Sequence, residues 1–208
     1  MMKQKHFIDS HKGLTGVFIL GLMAVFHQWE NPTAWVYLAL HGAYGSLWVL
    51  KSHIFPDKSW EQPVSLVVGV VKFWGGLTLY WIAPFLLTLR DVHAPGWYQG
   101  MCIALYAVGV FIHFSSDMQK YTQLRLAPEK LITDGMFARV RNPNYFGELL
   151  IYLSFGLLAM HWAPILVLFL FITAYWLPMM RRKDHSLARF PEFSAYQQRT
   201  KLFIPFLF

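Results

Sequence analysis

VSLVVGVVKFWGGLTLYWIAPFLLTL (residues 64–89) is an apolar run broken by a single charge, Lys72. About 20 such residues in a helix cross the hydrocarbon core of a bilayer, so this stretch reads as a membrane span. Comparable runs flank it at 14–27, 33–50, 97–115, 144–161 and 163–179. The expected fold is therefore an all-α integral membrane protein with about six transmembrane helices, a long loop after the fourth and an amphipathic C-terminal tail. One transmembrane domain over 1–208 is expected, with spans one to four in 1–116 and the loop, the last two spans and the tail in 117–208. Composition agrees. The chain is 56% hydrophobic and only 14% charged, well below the roughly 25% charged residues of soluble domains. Eighteen percent of it is aromatic, more apolar surface than so small a body can hide from water.

The first run follows a basic stretch holding Lys3, Lys5 and Lys12. No small-residue cleavage site succeeds it, so it is expected to be a retained anchor. Lys and Arg collect on the cytoplasmic side of short loops, and with six spans sixteen of the eighteen fall on one side. They are those three, Lys51 and Lys58 in the second loop, Lys120, Arg125, Lys130, Arg139 and Arg141 in the fourth, and Arg181, Arg182, Lys183, Arg189, Arg199 and Lys201 in the tail. Both termini are thus expected to be cytoplasmic, in a bacterial inner membrane or the endoplasmic reticulum. The net charge of +7 reads as a topology signal, and no nucleic-acid partner is expected. A lone cysteine, Cys102, excludes internal disulfides, a cysteine zinc site and an iron–sulfur cluster. No glycine fingerprint, Walker loop, nucleophile elbow or His-Glu-x-x-His helix is present, and no metal site is expected.

Ionisable side chains within spans cost about 2.5–3.5 kcal/mol on insertion scales and mark sites or pathways. Glu148 stands one turn into span five, within Arg141-Asn142-Pro143-Asn144-Tyr145-Phe146-Gly147-Glu148. Pro143 suits a first helical turn, and Tyr145, Glu148 and Tyr152 share one face. Gly147 leaves room for a ligand or for another backbone. The competing reading makes this a tight helix start with Glu148 snorkelling or paired to a cation. In span two, His41, Tyr44, Trp48 and Lys51 form one stripe, either a site or an aromatic belt. His113, Asp117 and Lys120 share a face where span four leaves the membrane, as a site or as a solvated pair. Lys72 either snorkels or faces a cavity. In the tail, Phe190, Phe193, Tyr196, Phe203, Ile204, Phe206 and Phe208 are interleaved with Arg189, Arg199 and Lys201. That pattern suits an interfacial segment, or, with Arg139 and Arg141, a bidentate clamp for phosphate groups.

Gly135-Met136-Phe137, the Arg141–Glu148 segment and the closing Phe203-Ile204-Pro205-Phe206 resemble the C-terminal domain of the steroid 5-alpha-reductase superfamily, over about 117–208. That superfamily is related to the sterol reductases and more distantly to the isoprenylcysteine carboxyl methyltransferases. The resemblance implies a reductase-like, NADPH-binding region there, with Asn144, Asp117 and Tyr196 meeting the cofactor and Glu148 beside the nicotinamide and the substrate carbonyl. Tyr44 is the candidate for the upstream tyrosine that pairs with the Glu. The expected catalytic residues are thus Glu148 and Tyr44. Asn144, Asp117, Tyr145, Arg141, Tyr196 and Arg199 are expected to bind cofactor, and His41, Trp48 and Tyr152 a lipophilic substrate. The implied chemistry is reduction of a conjugated C=C bond in a steroid, isoprenoid or related enone. Two rivals differ in class. One is an S-adenosylmethionine-dependent methyltransferase, in which Glu148 would set negative charge near an anionic acceptor. The other is a lipid or sterol binder without turnover.

Overall fold

A computed structural model covering residues 1–208 shows an almost wholly helical chain. The long helices are α1 (Gln4–Val25), α2 (Pro32–Ile54), α3 (Leu66–Leu89), α4 (Gly96–Leu126), α5 (Pro143–Leu158) and α6 (Trp162–Leu187), followed by a short α7 (Phe193–Arg199). Four of them, α1, α3, α4 and α6, are long and apolar enough to cross a membrane. The helices α2 and α5 occupy the positions of expected spans two and five. α2 is long enough, but Thr33, His41, Gly42, Tyr44, Gly45 and Ser46 dilute its apolar content. α5 has 16 residues, about 24 Å at 1.5 Å per residue, against a hydrocarbon core of about 30 Å. Two helices contain wider π-type turns, at Gly69–Trp74 within α3 and Ile172–Trp176 within α6.

The helix boundaries correct two expectations. α1 begins at Gln4, ten residues ahead of the first apolar run, so Lys12 lies inside the helix and is only 5% exposed. Lys51, in the last turn of α2, is 4% exposed. Both had been counted as loop charges that set topology. Lys72 in contrast is exposed, which favours the snorkelling reading for it.

The chain divides into two compact units, Met1–Tyr106 with Tyr152–Leu168, and Ala107–Ile151 with Phe169–Phe208. In the first, the Asn31 side chain caps α2 by accepting from the Thr33 and Ala34 amides at 2.9 and 3.3 Å. Pro32 fills the first helical position, where no amide is needed. Helices α1 and α2 cross closely at Gly45, where any Cβ would collide with the Lys12 carbonyl oxygen. A two-residue antiparallel pairing joins Met2–Lys3 to Pro63–Val64, and the Lys3 ammonium lies 2.7 Å from Glu61 beside it. Lys3, then Lys5, hold the Glu61 carboxyl below its ordinary pKa.

In the second unit, α4 and α5 approach backbone to backbone at Gly109 and Gly147. A Cβ on Gly147 would stand 2.5 Å from the His113 amide nitrogen and 2.7 Å from the Gly109 carbonyl oxygen. The room beside Glu148 is therefore filled by another helix. Gly147→Ala is expected to destabilise the protein by about 1–3 kcal/mol, as overpacking does, read as a lower melting temperature in detergent; an unchanged melting temperature would disprove this contact.

Candidate functional site

Within the first unit, an apolar helical environment encloses a polar cluster. Lys12 donates from Nζ to the Tyr152 hydroxyl at 2.9 Å and to the Tyr44 hydroxyl at 3.4 Å. The same ammonium lies 4.1 Å from the Trp48 ring centroid and 4.4 Å from that of Tyr44, cation–π contacts that gain strength when desolvated. Tyr152 stacks on Tyr80 at 4.0 Å. His41 stacks on Phe155 at 4.1 Å, and its Nδ1 meets the Tyr37 hydroxyl at 3.0 Å. The α2 stripe therefore faces inward: His41, Tyr44, Trp48 and Lys51 are all buried. An ammonium has no lone pair to offer, so each hydroxyl that receives from Lys12 must turn its own proton elsewhere. Beside this cluster is a narrow, partly open cleft bounded by His11, Lys12, Thr15, Tyr44, Tyr80 and Tyr152 among others.

The second unit contains most of the resemblance motif. Arg141 is 8% exposed, and its guanidinium is engaged within the protein. Nε donates to both Asp184 carboxylate oxygens, at 3.2 and 3.0 Å, and Nη2 lies 3.0 Å from Oδ2. Nη1 donates to the Thr200 carbonyl at 2.8 Å and the Gln197 carbonyl at 3.3 Å. Asn142, fully buried, donates to the Leu202 carbonyl at 3.0 Å and accepts from Lys183 at 3.0 Å. The backbone adds a parallel bridge between Val140 and Lys201. The Arg-Asn pair just before α5 is thus a clasp for α6 and the tail.

Tyr196 is 2% exposed and donates to the Phe137 carbonyl at 2.8 Å. Burial pushes its phenol up to about 12, with Asp184 acting in the same direction and Arg141 and Arg199 opposing. Arg199 is exposed, 5.7 Å from the Tyr196 ring. His113 and Asp117 are both buried, with Nε2 and Oδ2 3.8 Å apart, and His113 Nδ1 lies 3.1 Å from the Asn144 carbonyl. Tyr145 packs edge-on against Trp176 at 5.4 Å. Glu148 is half-buried, within electrostatic range of Tyr175, which also feels Arg182.

The structure thus gathers Tyr44, His41, Trp48 and Tyr152 in the first unit, and Asn144, Asp117, Tyr145, Glu148, Arg141, Tyr196 and Arg199 in the second. Sequence reasoning missed Lys12 as a site residue because it precedes the apolar run and reads as a topogenic charge. The missed clasp partners, Asp184 and Lys183, lie over 40 residues from Arg141, with no local pattern to reveal the pairing.

The second unit also suits a polyanionic dinucleotide. Arg139, Arg181, Arg182, Arg199 and Lys201 are exposed, and the nearby acid Asp184 is neutralised by Arg141. Arginine forks match phosphate oxygens in geometry and charge.

Comparison with known proteins bears on the same region. The family model described as 3-oxo-5-alpha-steroid 4-dehydrogenase matches residues 75–208. The chain is 30% identical over 153 residues to 3-oxo-5-alpha-steroid 4-dehydrogenase 1 of Rattus norvegicus, which covers 70% of this chain and 58% of the rat protein. The chain therefore spans somewhat more than half of that relative's length. The resemblance carried by the Arg141–Glu148 motif extends upstream into α3, and with membrane-length apolar helices around it, the chain is an integral membrane member of the 3-oxo-5-alpha-steroid 4-dehydrogenase family.

Proposed function

We propose that the protein is a membrane-embedded, NADPH-dependent reductase of the conjugated C=C bond in a lipophilic 3-oxo steroid or a related enone, with both termini cytoplasmic. The observation that carries this reading is the Lys12–Tyr44–Tyr152 cluster, a set of oriented hydrogen-bond donors inside an apolar unit, in a chain of this family. When bound, NADPH supplies a hydride to the β-carbon of the enone, the displaced electron pair moves to the carbonyl oxygen, and the α-carbon takes a proton derived from water.

The protein's own residues provide the rest. Tyr44, its oxygen held by Lys12, donates to the carbonyl oxygen as negative charge develops there; one such donor is worth roughly 2.7–4 kcal/mol in oxyanion sites. His41, Trp48 and Tyr152 bind the apolar body of the substrate. In the second unit, exposed Arg139, Arg181, Arg182, Arg199 and Lys201 bind the phosphates. Asn144, Asp117 and Tyr145 orient the remainder of the dinucleotide, and Glu148 is the catalytic carboxyl beside its nicotinamide end. Arg141 and Tyr196 act on the cofactor indirectly, by fixing the tail that bears Arg199 and Lys201.

Thermal melting of the purified protein with NADPH and, separately, with S-adenosylmethionine tests this assignment, since a ligand that binds the folded state raises the melting temperature by mass action. At 100 times Kd the expected stabilisation by NADPH is about 2.7 kcal/mol. A rise with the methyl donor alone would instead establish the methyltransferase reading.

A further inference from the structure

Of the two histidines that line the cleft, His11 is the one that the reading above leaves without a task. It is 3% exposed, yet neither ring nitrogen has a hydrogen-bond partner. Trp81 stacks on the imidazole at 4.5 Å, and the Trp74 ring meets it edge-on at 5.1 Å, so aromatic contacts fix the plane of the ring. Two neighbouring polar groups are already engaged. Thr15 donates to the His11 carbonyl at 2.9 Å and accepts from the Trp81 indole at 3.1 Å, and the His41 ring is tied to Tyr37. Whichever tautomer it holds, an imidazole carries at least one N–H. A buried donor without an acceptor is costly and calls for an explanation.

The cleft supplies one. His11 borders the same cleft as Lys12, Tyr44 and Tyr152. The Lys12 charge repels cationic ligands and favours an oxygen bearing partial negative charge. The Tyr80 and Tyr152 rings that line the cleft favour a flat apolar body. We propose that His11 donates a hydrogen bond to the carbonyl oxygen of the bound enone, as a second donor beside Tyr44, and so selects oxygenated ligands over hydrocarbons of the same shape. This inference rests on the enone reading for its choice of ligand, and its test separates the two.

The probes are androst-4-en-3-one and androst-4-ene, which lacks the oxygen, each titrated into the full-length protein in lipid nanodiscs. The wild type is expected to bind the ketone about tenfold or more tighter than the hydrocarbon, as a site with a buried donor discriminates against a ligand that leaves it unpaired. His11→Phe keeps the aromatic packing and removes the orphan nitrogens, so it is expected to melt at or above the wild-type temperature. Its preference for the ketone should shrink by about tenfold while hydrocarbon affinity holds. His11→Gln, which retains a donor, should keep most of the preference.

A measurement on the wild type covers the case in which His11→Phe does not fold. In ¹⁵N-histidine spectra, the His11 resonance, assigned by its loss in His11→Gln, should move with the ketone and stay fixed with the hydrocarbon. An unchanged preference in His11→Phe, an equal loss for both ligands, or a resonance indifferent to the ketone would each overturn the proposal. Turnover is scored apart by NADPH oxidation: a His11-dependent preference without turnover supports this site while removing the reductase reading, and turnover with no such preference removes only the inference about His11.

Discussion

Arg141→Met is expected to lower the stability of the protein by about 3–5 kcal/mol, the cost of removing one partner from a buried ion pair. The guanidinium meets Asp184 through two nitrogens and two carbonyls of the tail through a third. Deleting it leaves a carboxylate that is 9% exposed with its charge uncompensated, and the Gln197 and Thr200 carbonyls lose the same donor. Arg141→Lys should recover little, because a point charge cannot reproduce a planar fork. Arg141→Met combined with Asp184→Leu should recover much of the loss, since the isolated buried charge is then gone; the coupling is read from a double-mutant cycle of melting temperatures in detergent. Limited proteolysis should show the 193–204 segment released in Arg141→Met and retained in the double variant. Additive losses across the cycle would contradict the clasp.

The second large effect concerns chemistry. Tyr44→Phe is expected to reduce kcat by roughly 10²–10³-fold, the usual result of deleting one donor to a developing oxyanion. The melting response to NADPH should persist, because the exposed cations proposed for the cofactor lie in the second unit. Lys12→Met keeps the length of the side chain and removes the ammonium that donates to Tyr44 and Tyr152; kcat should fall with it, and Lys12→Arg should restore part of the rate. Glu148→Gln is expected to abolish turnover while cofactor binding survives. Full activity in Tyr44→Phe would remove the proposed donor, and indifference of both Tyr44→Phe and Glu148→Gln would favour a binder without turnover.

How far the sequence could be read follows from where each interaction lies along the chain. Apolar length is a local property, so the runs that became α1, α3, α4 and α6 could be seen directly. That His41, Tyr44, Trp48 and Lys51 share one face of α2 was legible from i, i+3 and i+4 spacing, but not that this face is buried. Helix ends were harder to place. The polar residues 4–13 show no apolar run, and long-range packing, with Gly45 of α2 seated on the Lys12 carbonyl and Phe7 against Gly69 of α3, accounts for a helix that starts at Gln4. The same packing turned Lys12 from a loop charge into a buried donor. Arg141 was singled out as a phosphate ligand, but its guanidinium is engaged by Asp184 of α6 and by carbonyls of the tail, and a spacing rule carries no information about such distant contacts.

The separation has a consequence for biosynthesis. Arg141 and Asn142 find their tail partners, Thr200 and Leu202, at sequence distances of 59 and 60 residues. At 5–20 residues per second, a ribosome needs roughly 3–12 s to make the intervening chain. During that interval the anchoring arginine still lacks its tail acceptors, so the nascent polypeptide passes through a stage in which α5 and α6 are already made and the cation-rich end that Arg141 fastens is not.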